Sequence, residues 1–398
     1  MRVVFAGQTG VQKGEAIAKL ARYACEQSGV PTEMASQYVS HVSVEEELKK
    51  DGDFTGFLNT YNDKAQSDRW LAAFDRVLQS IEQLKPKHVF LSMHAVFQRH
   101  SRFFSPVSWD KLREFRPDLF VTLIDDIQSI WRRVTWREEK SPTASYFRLR
   151  EIATWRSAEI LFTDTLAQHL VPGVALHNRV VAVKHPCPML HRLLFDPHRL
   201  VVYASFPITS TRVDDGKRAE VDSFRSALHG DFTVFDPLTI DEKPLELALR
   251  EQFPEWAADP RFPLAGKTVK LEEVHRWPID SSQSTSCDAP GAYPMELDAV
   301  EVREVAADVN NQIRLRDYRL ISQASCVAAY RPMYGGEFSG GVHAELNYAA
   351  NVAQIPTFLV FPDMDGDPNS SPFSDMGKVC ADTAALLEAL GKHQDPQS

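Results

Sequence analysis

The sequence predicts an α/β protein built from two doubly wound parallel sheets. Three observations lead there. At 398 residues the chain has room for two domains. Short apolar runs of the buried-strand kind recur along it, each followed by a stretch with helical spacing. In both halves a glycine-rich turn lies between a strand and a helix, an arrangement that sets backbone N–H groups at the carboxyl edge of a sheet. Hydrophobic residues at 43% and charged residues at 25% are ordinary globular values, enough for two cores.

The first half opens on an apolar strand, residues 2–6. The loop Gly7-Gln8-Thr9-Gly10-Val11-Gln12-Lys13-Gly14 follows, then Ile17, Leu20 and Ala21 on a helical face that stops at Gly29. Strand, glycine loop, lysine and helix make a phosphate-binding loop credible, with Gly7, Thr9, Gly10 and Lys13 as its nucleotide-binding residues. Two positions depart from that pattern. Gln12 stands where a second glycine belongs, and Gly14 stands where a hydroxyl would hold magnesium. Further strands are expected at 88–97, 118–127, 159–164 and 179–186, giving five. This half resembles the archaeal-type adenylate kinases at the Gly7 to Lys13 loop, at His94-Ala95, at Pro117-Asp118 and at Asp125-Asp126 before Arg132-Arg133. The resemblance implies a P-loop kinase-like domain with a degenerate loop over 1–192, which either binds a nucleotide such as ATP or is retained as architecture. The departures at Gln12 and Gly14 speak against phosphoryl transfer. Residues 185–199, with three prolines and three histidines, read as a linker. His185, His191 and His198 lack metal-ligand spacing, so no metal is expected.

The second half, 199–398, begins with an apolar strand at 200–211 that turns at Pro207. A second strand at 232–242 turns at Asp236-Pro237. Residues 254–295 carry six prolines, the cluster SSQSTS and four aromatics, and read as an insertion. A helix at 295–312, a strand at 326–330, a glycine turn at 335–341, a helix bearing Glu345, a strand at 357–362 and a last helix at about 375–390 complete a Rossmann-like sheet.

Residues 312–350 carry the chemistry. Asp317-Tyr318, Ile321-Ser322, Ala324, Ala329, Tyr330, Pro332, Gly335, Gly340, Glu345-Leu346 and Tyr348-Ala349 resemble the nucleoside 2-deoxyribosyltransferase family. The resemblance implies a nucleophilic carboxylate at Glu345, a base-side acid at Asp317 and a positioning role for Tyr203. It also implies an oligomer, a homodimer or larger, with a neighbouring subunit completing the site. Breaking an N-glycosidic bond develops positive charge at the anomeric carbon, which a carboxylate beneath it attacks or stabilises. A helix start helps to keep that carboxylate ionised.

Six residues before Glu345 stands Ser339. Relatives acting on free nucleosides look acidic there, whereas the related 5′-monophosphate N-glycosidases carry a serine that meets the phosphate. Ser339-Gly340-Gly341 at a helix start can cradle a phosphate. Ser205, Pro207, Thr209 and Arg212 are further candidates for sugar or phosphate contact. The expected activity is hydrolysis of a (deoxy)nucleoside 5′-monophosphate to base and sugar phosphate, without a cofactor. Deoxyribosyl transfer between bases, hydrolysis of NAD, and nucleotide sensing without turnover are the alternatives.

Composition narrows the partners. A net charge of −10 without a Lys/Arg cluster excludes a nucleic-acid-coating surface. Cysteines 25, 187, 287, 326 and 380 are scattered with no CxxC pair, as expected of reduced thiols. No apolar run of about 18 residues appears, and the N-terminus reads as strand and turn, so no membrane is expected and the compartment is read as cytoplasmic.

Overall fold

This computed structural model describes residues 1–99, 102–138, 147–171, 177–211, 214–243, 245, 261–264, 267–270, 299–334, 337–361 and 374–394. Arg212, Gly335, Gly336, Cys287 and most of the 254–295 insertion lie outside the described residues; within the insertion Arg261–Leu264 and Lys267–Lys270 pair antiparallel. The chain divides into two compact units, one built on Met1–Cys187 and one on Pro188–Gln283 and Asp298–Ser398.

The first unit holds β1 (Arg2–Ala6), α1 (Lys13–Gln27), β2 (Val39–Ser43), α2 (Asp63–Leu84), β3 (His88–Ser92), β4 (Leu119–Ile124), α3 (Ile127–Glu138), α4 (Leu149–Leu170) and β5 (Asn178–Ala182). Its five strands run parallel in the order β2-β3-β1-β4-β5. Helix α1 forms because Ala16, Ile17, Leu20 and Ala24 share one buried face, and it ends where Gly29 takes a positive φ of 63°. Along α2, Trp70, Phe74, Val77 and Ile81 recur at helical spacing and join Val4, Val89 and Leu91 in one core. Each such side chain stabilises the fold by about 1.5–3 kcal/mol.

Two strand expectations for this unit are corrected. Residues 159–164 lie within α4, not in a strand. Their burial follows the helical period: Glu159, Thr163, Leu166 and Ala167 face inward while Leu161 is exposed. The fifth strand is β2, whose sequence VSHVS is too polar to read as a buried run.

The second unit holds α5 (Cys187–Phe195), β6 (Val201–Ser205), α6 (Asp215–Asp231), β7 (Thr233–Phe235), α7 (Ala299–Ser322), β8 (Cys326–Tyr330), α8 (Gly340–Asn347), β9 (Thr357–Val360), β10 (Lys378–Cys380) and α9 (Thr383–Gln394). All five strands are parallel, in the order β10-β9-β8-β6-β7. The chain leaves β6 toward one edge and β8 toward the other, so the crevice between their carboxyl ends is the topological switch point of the sheet. Period-two alternation splits β6. Val202 and Ala204 enter a core with Phe224, Leu228 and Leu386, while Tyr203 and Ser205 face the opposite way.

Four readings of this unit change. The linker is in large part the helix α5, which belongs to the second unit because Arg192 donates to the carbonyls of His229 (2.7 Å), Gly230 (3.0 Å) and Phe232 (2.9 Å). The glycine turn before α8 includes a two-stranded ladder, Met333–Tyr334 with Glu337–Phe338. The last helix is preceded by strand β10, and the helical segment Ala299–Ser322 is one helix that carries Asp317.

Candidate active site at the edge of the second sheet

Glu345 sits on the second turn of α8, whose N-cap is Ser339; the Ser339 hydroxyl accepts from the Val342 N–H at 3.5 Å. Both carboxyl oxygens are held from β6. Tyr203 donates its hydroxyl to Oε1 at 2.9 Å, and Ser205 donates to Oε2 at 2.5 Å. The two hydroxyls reach one carboxyl because they stand two apart on a strand, on one face. Tyr203 and Ser205 are themselves fully buried, so Glu345 rests on a rigid floor.

The other side of Glu345 opens into a cavity of about 560 Å³. Its wall carries Asp241, Glu242, Arg316 and Asp317, and the helix start Ser339-Gly340-Gly341 lies on it too. An added Cβ at Gly340 or Gly341 would meet nothing within 4 Å, so the first turn of α8 presents bare backbone. The Asp236-Pro237 turn, which also borders the cavity, is pinned by Arg225: its Nε lies 2.8 Å and its Nη2 2.7 Å from Asp236 Oδ2, and Asp236 Oδ1 accepts from the Leu238 N–H at 2.9 Å.

Burial pushes the Glu345 carboxyl up, the Asp317 charge pushes it further, and the Ser205 and Tyr203 hydroxyls pull it back, leaving it at about 8. Burial also raises Asp317, against the pull of Arg316. The Tyr203 hydroxyl is raised well above its ordinary value by burial, then by Asp317 and Glu345, and so stays a donor. Burial pushes Asp236 up too, but Arg225 and His229 outweigh it and hold this carboxylate well below the usual range.

Of the residues expected here, Glu345, Asp317, Ser339, Gly340, Gly341, Pro207 and Thr209 line the cavity together. Tyr203 and Ser205 stand behind Glu345, and Ser205 is therefore a support of the carboxyl where a ligand contact was expected. Sequence reasoning missed Arg316, Asp241 and Glu242. The only cue was local: Arg316 adjoins Asp317, and Asp241-Glu242 end the apolar run that follows Asp236.

Compared with protein-family models and with curated proteins, the chain matches none.

In the first unit Gly7, Thr9, Gly10 and Lys13 do gather at the carboxyl edge of the sheet. Gly7 and Gly10 take positive φ values of 151° and 88°, and a Cβ at Gly7 would come within 2.6 Å of the Leu123 carbonyl. Gln12 adopts the left-handed conformation, φ 60°, at the position where the phosphate-loop pattern has glycine. Protein groups fill the loop's surroundings. Lys13 donates to the Gly7 carbonyl and lies 3.3 Å from His94 Nδ1. Thr9 lies 3.4 Å from His94 Nε2. The Glu159 carboxylate accepts three backbone N–H bonds, from Gly7 at 2.9 Å and from Ala95 and Val96 at 2.8 Å. Burial nonetheless lifts Glu159 to about 7. Arg133 joins the Gly10 carbonyl (2.7 Å) to Asp125 (2.8 Å), and Lys184 pairs with Asp125 and Asp126. Among the described residues, no three His, Cys, Asp or Glu side chains are placed to hold a metal ion. No helix among them is long and apolar enough to cross a membrane.

Proposed function

We propose that the second unit hydrolyses the N-glycosidic bond of a nucleoside or deoxynucleoside 5′-monophosphate, with Glu345 as nucleophile. The observation that carries this reading is Glu345 itself, a carboxyl gripped on both oxygens by Tyr203 and Ser205 and open on its far side to a nucleotide-sized cavity at the switch point of a parallel sheet. A surface glutamate needs no such grip.

In the first step a Glu345 oxygen bonds to C1′ as the C1′–N bond breaks, and that bond's electron pair leaves with the base. In the second step water adds to C1′, releasing the carboxylate and giving the sugar phosphate; the water's proton balances the one the base takes up. A raised Glu345 suits this chemistry, because positive charge growing on the sugar stabilises the carboxylate most in the transition state. We place the phosphate at Ser339-Gly340-Gly341, where the cap hydroxyl and two uncrowded glycines stand at the positive end of α8. Asp317 lies on the base side. Any completion of the cavity by a second subunit belongs to this same reading.

The test is base release, followed by chromatography, from a panel of nucleosides, 5′-monophosphates and NAD. Monophosphates are expected to be cleaved and the matching nucleosides spared, and Glu345→Gln is expected to lower the rate about 10³-fold or more. Equal cleavage of nucleosides would remove the phosphate assignment. A new nucleoside appearing when a second base is added would make the reaction a transfer.

A further inference from the structure

Arg316 lies beside the base-side aspartate and nothing in the reaction scheme above uses it. Its guanidinium is fixed on two sides. Nε and Nη2 donate to a single oxygen of Asp317, Oδ1, at 3.0 and 2.8 Å. Nη1 donates to the Ile240 carbonyl at 2.9 Å and lies 3.9 Å from the buried Glu242 carboxylate. Arginine stays charged at any working pH, and its planar fork gives this contact one orientation. Glu345 has no such cation in contact; its two partners are neutral hydroxyls. The Arg316 contact therefore favours the charged form of Asp317 over that of Glu345, against the burial and the Glu242 and Asp241 charges that push Asp317 up.

A charged aspartate only accepts hydrogen bonds. Arg316 donates to Oδ1, and Asp317 lines the cavity together with Asp241 and Glu242. The ionised Asp317 thus offers the cavity an acceptor. A base edge carrying an exocyclic amino group meets it donor to acceptor. A base without that group leaves a buried carboxylate oxygen unpaired, which sites built for hydrogen bonding reject strongly.

We propose that Arg316 is a positioning residue that keeps Asp317 a charged acceptor, and that the cavity consequently selects nucleotides whose base bears an exocyclic amino group. The proposal rests on the glycosidase reading for where the base lies.

The experiment deletes the amino group without adding bulk. Deoxycytidine 5′-monophosphate is compared with the 5′-monophosphate of pyrimidin-2-one deoxyriboside, and deoxyadenosine 5′-monophosphate with that of purine deoxyriboside. Base release is measured on the full chain, and Kd by calorimetry on its Glu345→Gln variant. The amino-bearing member of at least one pair is expected to be favoured about tenfold or more in both measurements. Asp317→Asn and Arg316→Met are expected to bring that ratio within about threefold of unity, because a carboxamide can donate as well as accept and an unclamped carboxyl can take the proton. A merely structural role for Arg316 would lower affinity for both members alike and leave the ratio unchanged. That result, or a wild-type ratio at or below one in both pairs, overturns the proposal. Base release that survives Glu345→Gln would instead sink the glycosidase reading, with the Kd ratios, taken then on the wild-type chain, still deciding the present one. Absence of binding by all four nucleotides would overturn both.

Discussion

Glu345 and its two hydroxyl partners form one buried hydrogen-bonded group, and each makes a measurable claim. A glutamate lifted from its ordinary value of 4.5 to about 8 keeps a proton in the folded protein that the unfolded chain has already lost. Its contribution is fully present below about pH 4.5 and is lost as pH rises toward 8. Glu345→Gln removes that titration, so the variant should be more stable than wild type at pH 9 by about 1–3 kcal/mol, less than the full shift implies because one side of the carboxyl opens on the cavity. Urea melts at pH 5 and pH 9 would show it; a variant less stable at pH 9 would contradict the burial argument. Activity runs the other way. In the proposed reaction attack requires the ionised carboxyl, so kcat/KM should climb as pH rises toward about 8. Tyr203→Phe and Ser205→Ala each remove a donor that pulls Glu345 down. Both should move that rise to higher pH and cost about 10–100-fold at pH 7. A pH profile unmoved by either change would mean the hydroxyls do not act through Glu345.

At the scale of elements, two buried charges tie secondary structure together. Glu159 on α4 collects N–H groups from the loop after β1 and the turn after β3, fastening the carboxyl ends of two strands to one helix. Glu159→Ala would leave three buried donors without that acceptor and is expected to cost about 3 kcal/mol or more in chemical denaturation. Arg225 on α6 does the same for the turn after β7. Asp236→Asn should cost about 3–5 kcal/mol by leaving the buried guanidinium undercompensated, and should also slow base release, since this turn borders the cavity. A loss of stability below 1 kcal/mol would show that the ion pair is replaceable by water. The helices and most central strands were legible in the sequence because their periodicity is local. Residues 159–164 misled because ILFT is apolar in succession, and only the packing of α4 shows that Leu161 faces solvent while Glu159 faces in. Strand β2 was illegible for the opposite reason: its burial comes from neighbours and not from its own composition.

Over the whole molecule, each unit has its own five-stranded sheet and its own core. A fragment starting at Pro188 is therefore expected to melt cooperatively in calorimetry and to release base at the full-chain rate; failure to fold would show that the second unit depends on the first. What the sequence determined by itself was the α/β class, the division into halves and the strand–turn–helix order that leads to Glu345, because these are properties of short segments; the candidacy of Glu345, Asp317, Tyr203 and Ser339 rested on the resemblance. Only the tertiary structure decided that Ser205 supports the carboxyl from behind, that Arg316 clamps Asp317, and that Glu159 occupies the N–H groups around the first unit's loop. Those facts depend on groups meeting across 140 or 152 residues of chain, as the Ser205 hydroxyl and the Gly7 backbone N–H do with their glutamates, or on which way an adjacent guanidinium folds. Local spacing carries no record of either.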